Sequence, residues 1–171
     1  MPIDAPDHSE VFIDANIFIY HFSGPTEYTD SCTQFLQRIE EARLSGLTSV
    51  LILAETLHRL MIIEAATTLH VEPKQVLRHL KAHPLDVRKL TEHLTVVEKI
   101  QAFGVKILSL DIDDVLSSNA IKKECGLLTN DAINLALMRR HHIKHIATND
   151  PDFGRVGDLV VWKPLTPTTA P

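Results

Sequence analysis

Short apolar runs alternate along this chain with longer segments in which apolar residues recur every three or four positions. The short runs predict buried strands, and the longer segments predict amphipathic helices. Strands are expected at residues 11–13, 47–50, 105–110, 144–148 and 158–162, the second of them as a brief strand or a turn. Helices are expected at residues 16–22, 29–44, 51–66, 72–83, 87–103, 112–125 and 129–142.

Several helix boundaries carry recognisable signals. Gly46 and Gly104 follow the helices at residues 29–44 and 87–103 and are expected to end them. Asp111 and Thr129 are expected to cap the two helices that follow, the first of which ends at Gly126.

Strands separated by helices are typical of an α/β domain. We therefore expect a three-layer α/β/α arrangement in which a short, mostly parallel sheet of four to five strands is flanked by helices. No linker or repeat divides the chain, so one domain is expected over residues 1–171. Residues 1–9 and 163–171 are expected to be loose termini, and residues 71–103 to form an extended helical segment.

Composition and cysteine count indicate in which cellular compartment the protein is expected. The chain has two cysteines far apart in sequence and no apolar run near the about 20 residues of a membrane span, so we expect no disulfide framework and no membrane association. No secretory signal precedes the first strand, and a reducing cytoplasm is the expected location. The pairs His79/His83 and His141/His145 have helical metal-ligand spacing, but no third ligand is evident in sequence, and surface histidines are expected.

Acidic residues follow two of the predicted strands directly. Asp14 ends the first strand, and Asp150 follows the strand at residues 144–148. Ligands of parallel α/β sheets bind outside the carboxyl ends of the strands, which is where both carboxylates are expected. Taken singly, Asp14 is also explained as a helix cap and Asp150 as an ordinary turn residue.

Two further acids have unusual surroundings. Glu55 lies in an apolar run, where a carboxylate requires a partner, and Arg59 on the same helix face is the structural alternative. Asp131 lies near a helix start, where the helix dipole alone explains an acid. Gathered in one pocket, four such acids repel one another unless a divalent cation neutralises them. Oxygen-only ligands favour Mg²⁺ or Mn²⁺.

The chain resembles the PIN-domain ribonucleases, and within them the VapC-like toxins of type II toxin–antitoxin modules. Four segments in the same order along the chain carry the resemblance: residues 12–20, 48–57, 130–136 and 146–153. The segment at residues 71–103 is longer than the compact toxins require.

The resemblance implies a fold, an activity and a site. It implies a Mg²⁺- or Mn²⁺-dependent endoribonuclease, a hydrolase that cleaves RNA by metal-activated water and leaves 5′-phosphate and 3′-hydroxyl ends. The implied metal-binding and catalytic acids are Asp14, Glu55, Asp131 and Asp150, with Asp152 as a further metal ligand and with Asn16 and Thr148 as polar helpers. An antitoxin protein and a second copy of the chain, forming a homodimer, are the implied partners, and the helices within residues 29–66 are one candidate surface for them.

Other functions stay open from sequence. The same fold serves as an inactive scaffold or a binding module for RNA or protein, and PIN nucleases also occur outside toxin–antitoxin pairs. Phosphatases with an aspartyl nucleophile typically need a second aspartate where this chain has Asn16. The net charge of −5 argues weakly against nucleic acid, whereas the local basic residues Arg139, Arg140, Lys122 and Lys123 are candidates for RNA backbone contacts or for an ordinary solvated helix end.

Overall fold

A computed structural model describes residues 5–166, and in it five parallel strands form one sheet. The sheet order is β3-β2-β1-β4-β5. The strands are β1 Glu10–Ile13, β2 Ser45–Ser49, β3 Lys106–Leu108, β4 His145–Ala147 and β5 Val160–Trp162. The parallel α/β/α prediction is confirmed, and the chain order reverses direction across the sheet between β1 and β4.

Eight α-helices in the described part of the chain flank this sheet. They are α1 Ala15–Phe22, α2 Thr29–Glu40, α3 Val50–Thr68, α4 Val76–Ala82, α5 Pro84–Val87, α6 Val96–Ala102, α7 Ile112–Cys125 and α8 Thr129–Arg140. Short 3₁₀ turns at Pro73–Gln75, Glu92–Thr95 and Pro151–Arg155 complete the elements.

Local signals correctly located α7. The Asp111 side chain accepts hydrogen bonds from the backbone N–H groups of Asp113 and Asp114, and Asp114 returns a bond to the Asp111 backbone. This reciprocal capping box satisfies N–H groups that the first helical turn leaves free. Gly126 ends the helix with φ of +67°, a conformation in which a side chain is strained.

The predicted helix at residues 29–44 ends earlier than expected. It stops at Glu40, and Gly46 lies inside β2 instead of ending the helix. A Cβ atom at Gly46 would stand 2.8 Å from Cδ1 of Ile39 and 3.0 Å from Cδ1 of Ile13. The glycine is therefore required by the close packing of α2 against the sheet.

A continuous helix over residues 87–103 was the clearest wrong prediction. The helix α5 ends at Val87, a 3₁₀ turn follows at Glu92–Thr95, and only α6 continues the expected pattern. The cause is tertiary, because the Glu64 carboxylate on α3 accepts the backbone N–H groups of Thr91, Glu92 and His93. The helix predicted at residues 72–83 likewise begins as a 3₁₀ turn, and Pro84 opens α5 after it.

Apolar side chains form one large core around the sheet and a smaller cluster under the α4 region. The smaller cluster contains Ala65, Val76, Leu80 and Leu90. The single-domain organisation stays a prediction. Of the termini expected to be loose, residues 1–4 and 167–171 lie outside the described residues, whereas Ala5 is buried and its carbonyl accepts a 2.5 Å hydrogen bond from Arg38.

Two expectations from composition can be checked on the described residues. Both cysteines are free thiols, and burial raises the pKa of Cys32 to about 12. No described helix has the length and apolar character needed to cross a membrane.

Candidate active site

Asp14 sits where the chain leaves the central strand of the sheet. Its backbone N–H donates to the carbonyl of Ala147 on β4, and its side chain then caps α1 by accepting the Ala15 N–H at 2.7 Å. The residue is only 9% exposed. The position lies between β1 and β4, where the order of strands reverses and where α/β sheets open a ligand crevice.

Asn16 and Thr148 hold the second oxygen of Asp14. The Thr148 hydroxyl donates to Oδ2 of Asp14 at 2.5 Å, and Nδ2 of Asn16 donates to the same oxygen. Nδ2 of Asn16 also donates to the Thr148 hydroxyl at 3.0 Å. The three side chains thus form a closed triangle that fixes the Asp14 carboxylate.

The loop after β4 is fastened to the same triangle. The backbone N–H of Asp150 donates to the Thr148 hydroxyl at 2.9 Å, and that of Asn149 donates to Oδ1 of Asn16 at 3.0 Å. The Asn149 amide also donates to the Tyr20 hydroxyl at 3.0 Å. The contribution of Asn149 and Tyr20 was not predicted from the sequence. Asparagine is common in turns, and Tyr20 in α1 lies far from Asn149 in sequence.

Asp150 and Asp152 occupy the 3₁₀ turn that follows. Oδ1 of Asp150 accepts the backbone N–H of Asp152 at 2.8 Å. Asp152 is engaged differently, since its Oδ1 accepts a 2.6 Å bond from Arg155, which also bonds the carbonyl of Gly126. Oδ2 of Asp150 therefore has no hydrogen-bond partner among the described residues, whereas Asp152 is paired with the Arg155 guanidinium.

Glu55 lies in the second turn of α3 and is partly buried. The alternative partner Arg59 does not pair with it, and within the described residues Glu55 forms no hydrogen bond or ion pair. The start of α3 is fixed by Ser49, which accepts the Ile52 N–H and donates to Oδ1 of Asn134 at 2.7 Å. This bond joins the helix that carries Glu55 to α8.

Asp131 lies in the first turn of α8, one turn before Asn134. The predicted cap Thr129 is wrong, because Leu128 precedes the helix and makes no side-chain cap bond. Burial raises the pKa of Asp131 to about 6, and the charges of four further acids raise it in addition. In order of effect these are Asp14, Asp150, Glu55 and Asp152. The structure thus brings all of the sequence-predicted acids within electrostatic range of Asp131.

The pKa of Asp14 responds in the same way. Burial raises it to about 6 and outweighs the lowering effect of the bonds from Thr148 and Ala15, and the charges of Glu55 and Asp150 raise it further. In both cases a buried carboxylate lacks a compensating cation. The pocket therefore has an excess of negative charge that a bound cation would relieve.

Of the four basic residues that are candidates for RNA contacts, the two arginines form ion pairs within the fold. Arg140 pairs with the buried Asp114 at 2.7 Å, and Arg139 pairs with Glu124 and Asp158. Both arginines therefore connect elements of the fold, and neither is a free cation for RNA. In the helices within residues 29–66, which are a candidate partner surface or simply part of the core, most large apolar side chains are buried. Large exposed apolar side chains cluster instead on α7 and just beyond it: Ile112, Val115, Leu116 and Leu128.

An all-parallel sheet with acids gathered at its switch point defines an α/β protein with an acidic crevice. The PIN domain family matches residues 11–159, and the chain belongs to that family. It is 29% identical over 156 residues to Ribonuclease VapC2 of Methanocaldococcus jannaschii, covering 91% of this chain and 94% of that protein.

Two solved structures share the fold at lower identity. One is VapBC2 from Rickettsia felis bound to a DNA fragment from its promoter, at a TM-score of 0.57 and 13% identity, covering 91% of this chain and 99% of the matched one. The other is VapC20 of Mycobacterium tuberculosis, a toxin that cleaves the sarcin–ricin loop, at a TM-score of 0.57 and 14% identity, covering 86% and 95%.

Proposed function

We propose that this protein is a Mg²⁺- or Mn²⁺-dependent endoribonuclease and the toxin of a toxin–antitoxin pair. The observation that carries the proposal is the gathering of Asp14, Glu55, Asp131 and Asp150 around one crevice without a balancing cation. An inactive scaffold has no need for that arrangement, because uncompensated buried charge opposes folding. Membership of the PIN family and the similarity to a ribonuclease agree with it.

The donor set fits a hard divalent ion. All four candidate ligands are carboxylates, and oxygen ligands favour Mg²⁺ and Mn²⁺ over softer metals. Within the described residues no three of these acids have ligand atoms all within 4.8 Å of one another. That spacing suits Mg²⁺, which keeps several waters and uses only one or two carboxylates directly.

Each residue has a role that follows from its contacts. Asp14 is the central metal ligand, because Thr148 and Asn16 hold its carboxylate in one orientation. Asp150 approaches from the β4 loop, Glu55 from α3 and Asp131 from α8, so the crevice is bounded by several elements. Asp152 is an outer acid in this proposal, since Arg155 already pairs with it.

The bound ion supplies two effects, lowering the pKa of an attacking water and offsetting negative charge on the scissile phosphodiester. The carboxylates of Asp14, Glu55, Asp131 and Asp150 would hold the ion and orient the water opposite the leaving O3′. Breaking of the P–O3′ bond, with protonation of O3′ from solvent, would leave a 5′-phosphate and a 3′-hydroxyl. A cytoplasmic setting is consistent with the free Cys32 and Cys125.

Cleavage of RNA by the purified chain tests the proposal. We expect cleavage of a panel of structured and single-stranded RNAs with Mg²⁺ or Mn²⁺, and none with a chelator. Asp14→Asn should lower the rate by about a hundredfold or more, because the central ligand loses its charge, and Thr148→Val by about 10- to 100-fold through loss of the orienting hydroxyl. Asp30→Asn is the matched control, because that acid is exposed on α2 away from the crevice.

Three results would argue against the proposal. Cleavage that survives both chelator and Asp14→Asn would indicate a contaminating nuclease. Metal binding with no cleavage of any RNA would favour the scaffold alternative. For the toxin role, induction of the chain alone should arrest growth, and normal growth with abundant protein and measurable ribonuclease activity would place it outside toxin–antitoxin pairs.

A further inference from the structure

A second group of metal-ligating side chains lies away from the acidic crevice. His79 is in α4, His83 is the residue that ends it, and Asp86 is in α5. One ligand atom from each lies within 4.8 Å of the other two, the one group of three or more such side chains with this property among residues 5–166. Sequence analysis found the histidine pair but no third ligand, and the α4–α5 junction supplies Asp86.

The contacts at the junction already orient the three groups. Nε2 of His79 lies 2.8 Å from Oδ2 of Asp86, and the imidazole rings of His79 and His83 stack with centroids 4.4 Å apart. Nδ1 of His83 lies 3.1 Å from the His79 carbonyl oxygen. Nε2 of His83 has no hydrogen-bond partner in the described part of the chain, and His83 is exposed, so a metal ion can reach it from solvent.

We propose that His79, His83 and Asp86 form a zinc site. Two imidazoles and one carboxylate are a donor set that Zn²⁺ prefers, and three protein ligands leave a fourth position for water. Bonds of about 2.0–2.1 Å to a tetrahedral ion place its ligand atoms about 3.3 Å apart. The ligand atoms of the three groups lie within 4.8 Å of one another, so side-chain rotation would have to bring them closer by up to about 1.5 Å to complete the site.

The site is chemically distinct from the crevice at the end of β1. The crevice presents carboxylates alone and favours hard ions, whereas two imidazoles favour zinc over Mg²⁺. Lys89 occupies Oδ1 of Asp86 at 2.6 Å, which leaves Oδ2 facing the histidines.

A metal ion at this place would link α4 to α5 across Pro84. His83, whose backbone is not helical, joins the two helices just before Pro84, because its N–H donates to the His79 carbonyl and its own carbonyl accepts the Asp86 N–H. Zinc bound there would stabilise the segment at residues 71–103, because a ligand that binds the folded chain and not the unfolded one raises the free energy of unfolding as its free concentration rises relative to its Kd.

Calorimetric titration of the full, metal-free chain with Zn²⁺ tests the proposal. We expect one site that is weakened at least about tenfold in His83→Gln and in Asp86→Asn, because each loses a ligand. His141→Gln is the matched control, since His141 belongs to the other histidine pair and no three-ligand group in residues 5–166 includes it. Zn²⁺ should raise the melting temperature of the wild-type chain and of the control, and Co²⁺ should give a visible spectrum that His83→Gln abolishes.

Two outcomes would overturn the zinc site. One is zinc binding that is unchanged in both ligand variants, or no binding at all. The other is binding that persists in His83→Gln but is lost in Asp14→Asn, which would assign the zinc to the acidic crevice. His83 is exposed and its replacement removes no buried contact, so a folded His83→Gln protein keeps the experiment decisive.

Discussion

Two regions of this molecule shield carboxylates from solvent, and the pKa values of those carboxylates shift in opposite directions. At the carboxyl edge of the sheet, Asp14 is 9% exposed and its pKa is raised to about 6. In the helical layers, Glu64 is 8% exposed and Asp114 is 2% exposed, yet the pKa of each is lowered. Burial alone therefore does not decide whether these acids stay charged.

The partners make the difference. Burial raises the pKa of Glu64, but bonds from His93 and from three backbone N–H groups outweigh that effect. Asp114 accepts bonds from the Arg140 guanidinium, which lower its pKa despite burial. Asp14 receives only neutral donors and faces other acids. Glu64 and Asp114, which connect elements of the fold, are therefore matched by donors, whereas the acids at the crevice have no balancing cation among the described residues.

Breaking the Asp114–Arg140 pair should have the largest effect on stability. Arg140→Met leaves a buried charge without its partner, and we expect a loss of about 3 kcal/mol in the free energy of unfolding. Arg139→Met is the matched control, because its partners Glu124 and Asp158 are exposed, and it should lose at most about 1 kcal/mol. Denaturant unfolding measures both, and equal losses would contradict the distinction between the two pairs.

Glu64 offers the next largest effect. Glu64→Gln places an amide NH₂ against N–H donors, so at least one of the three backbone bonds is lost, and we expect a loss of about 2 kcal/mol. Hydrogen exchange should quicken at Thr91, Glu92 and His93 before it does so in the sheet. Glu72→Gln is the control, since that side chain is exposed and caps nothing. Unchanged protection of the three amides would refute the anchoring role.

Glu64 also explains why the structure of residues 87–103 was not predicted correctly from the sequence. Strand positions, the capping box at Asp111 and the ending of α7 at Gly126 depend on neighbours in sequence, and the pattern located them. The break in the helix expected at residues 87–103 depends on Glu64, which lies 27 residues before Thr91 and has no local signal. Local rules cannot report a carboxylate that reaches across the fold.

In the candidate site, too, features with a local sequence signal were predicted and those that depend on distant residues were not. Asp14 and Asp150 were identified from their places after predicted strands, Glu55 from its place within an apolar run, and Asp131 from its place near a helix start. The parallel sheet order explains why Asp14 and Asp150 lie at the same edge of the sheet. Asn16 and Thr148 were predicted as polar helpers, but their hydrogen bonds to Asp14 were not. The hydrogen bond between Asn149 and Tyr20 was not predicted at all. The engagement of Arg139 and Arg140 by distant acids was equally invisible in sequence.

Between about pH 4 and pH 6, the acids of the crevice should determine how the stability of the metal-free protein changes with pH. The pKa values of Asp14 and Asp131 are raised from 3.8 to about 6, so in that range the folded state binds more protons than the unfolded state. The contribution of these two groups to the free energy of unfolding is fully present below pH about 4 and is lost as the pH rises through about 6. For Asp14 the loss is at most about 3 kcal/mol. Unfolding midpoints across this range, with a chelator and then with Mg²⁺, measure the effect.

Mg²⁺ should remove most of that loss, because a bound cation favours the ionised carboxylates. Stabilisation by Mg²⁺ should therefore be larger at pH 7 than at pH 5. A metal-free protein whose stability rises steadily from pH 4 to 7 would contradict the raised pKa values, and with them the contrast between the crevice and Glu64.

Asp131→Asn should have the smallest effect on stability, but it is a sharp test because it should stabilise the protein, whereas most substitutions destabilise. Asp131 forms no hydrogen bond within the described residues, so Asp131→Asn removes repulsion without removing a bond. We expect the metal-free protein to gain about 1 kcal/mol at pH 7, since solvent screens part of the repulsion at this partly exposed side chain.

A matched control separates that gain from the loss of a favourable helix-dipole interaction. Asp131 lies in the first turn of α8 and the exposed Asp113 in the first turn of α7, so each substitution to asparagine sacrifices about 0.3–1 kcal/mol at a helix N-terminus. Only Asp131 also faces the acids of the crevice. Denaturant unfolding should therefore place Asp131→Asn above Asp113→Asn with a chelator, and Mg²⁺ should stabilise wild type more than Asp131→Asn. If the two variants match in both conditions, Asp131 is an ordinary helix-start acid and the crevice holds one carboxylate fewer.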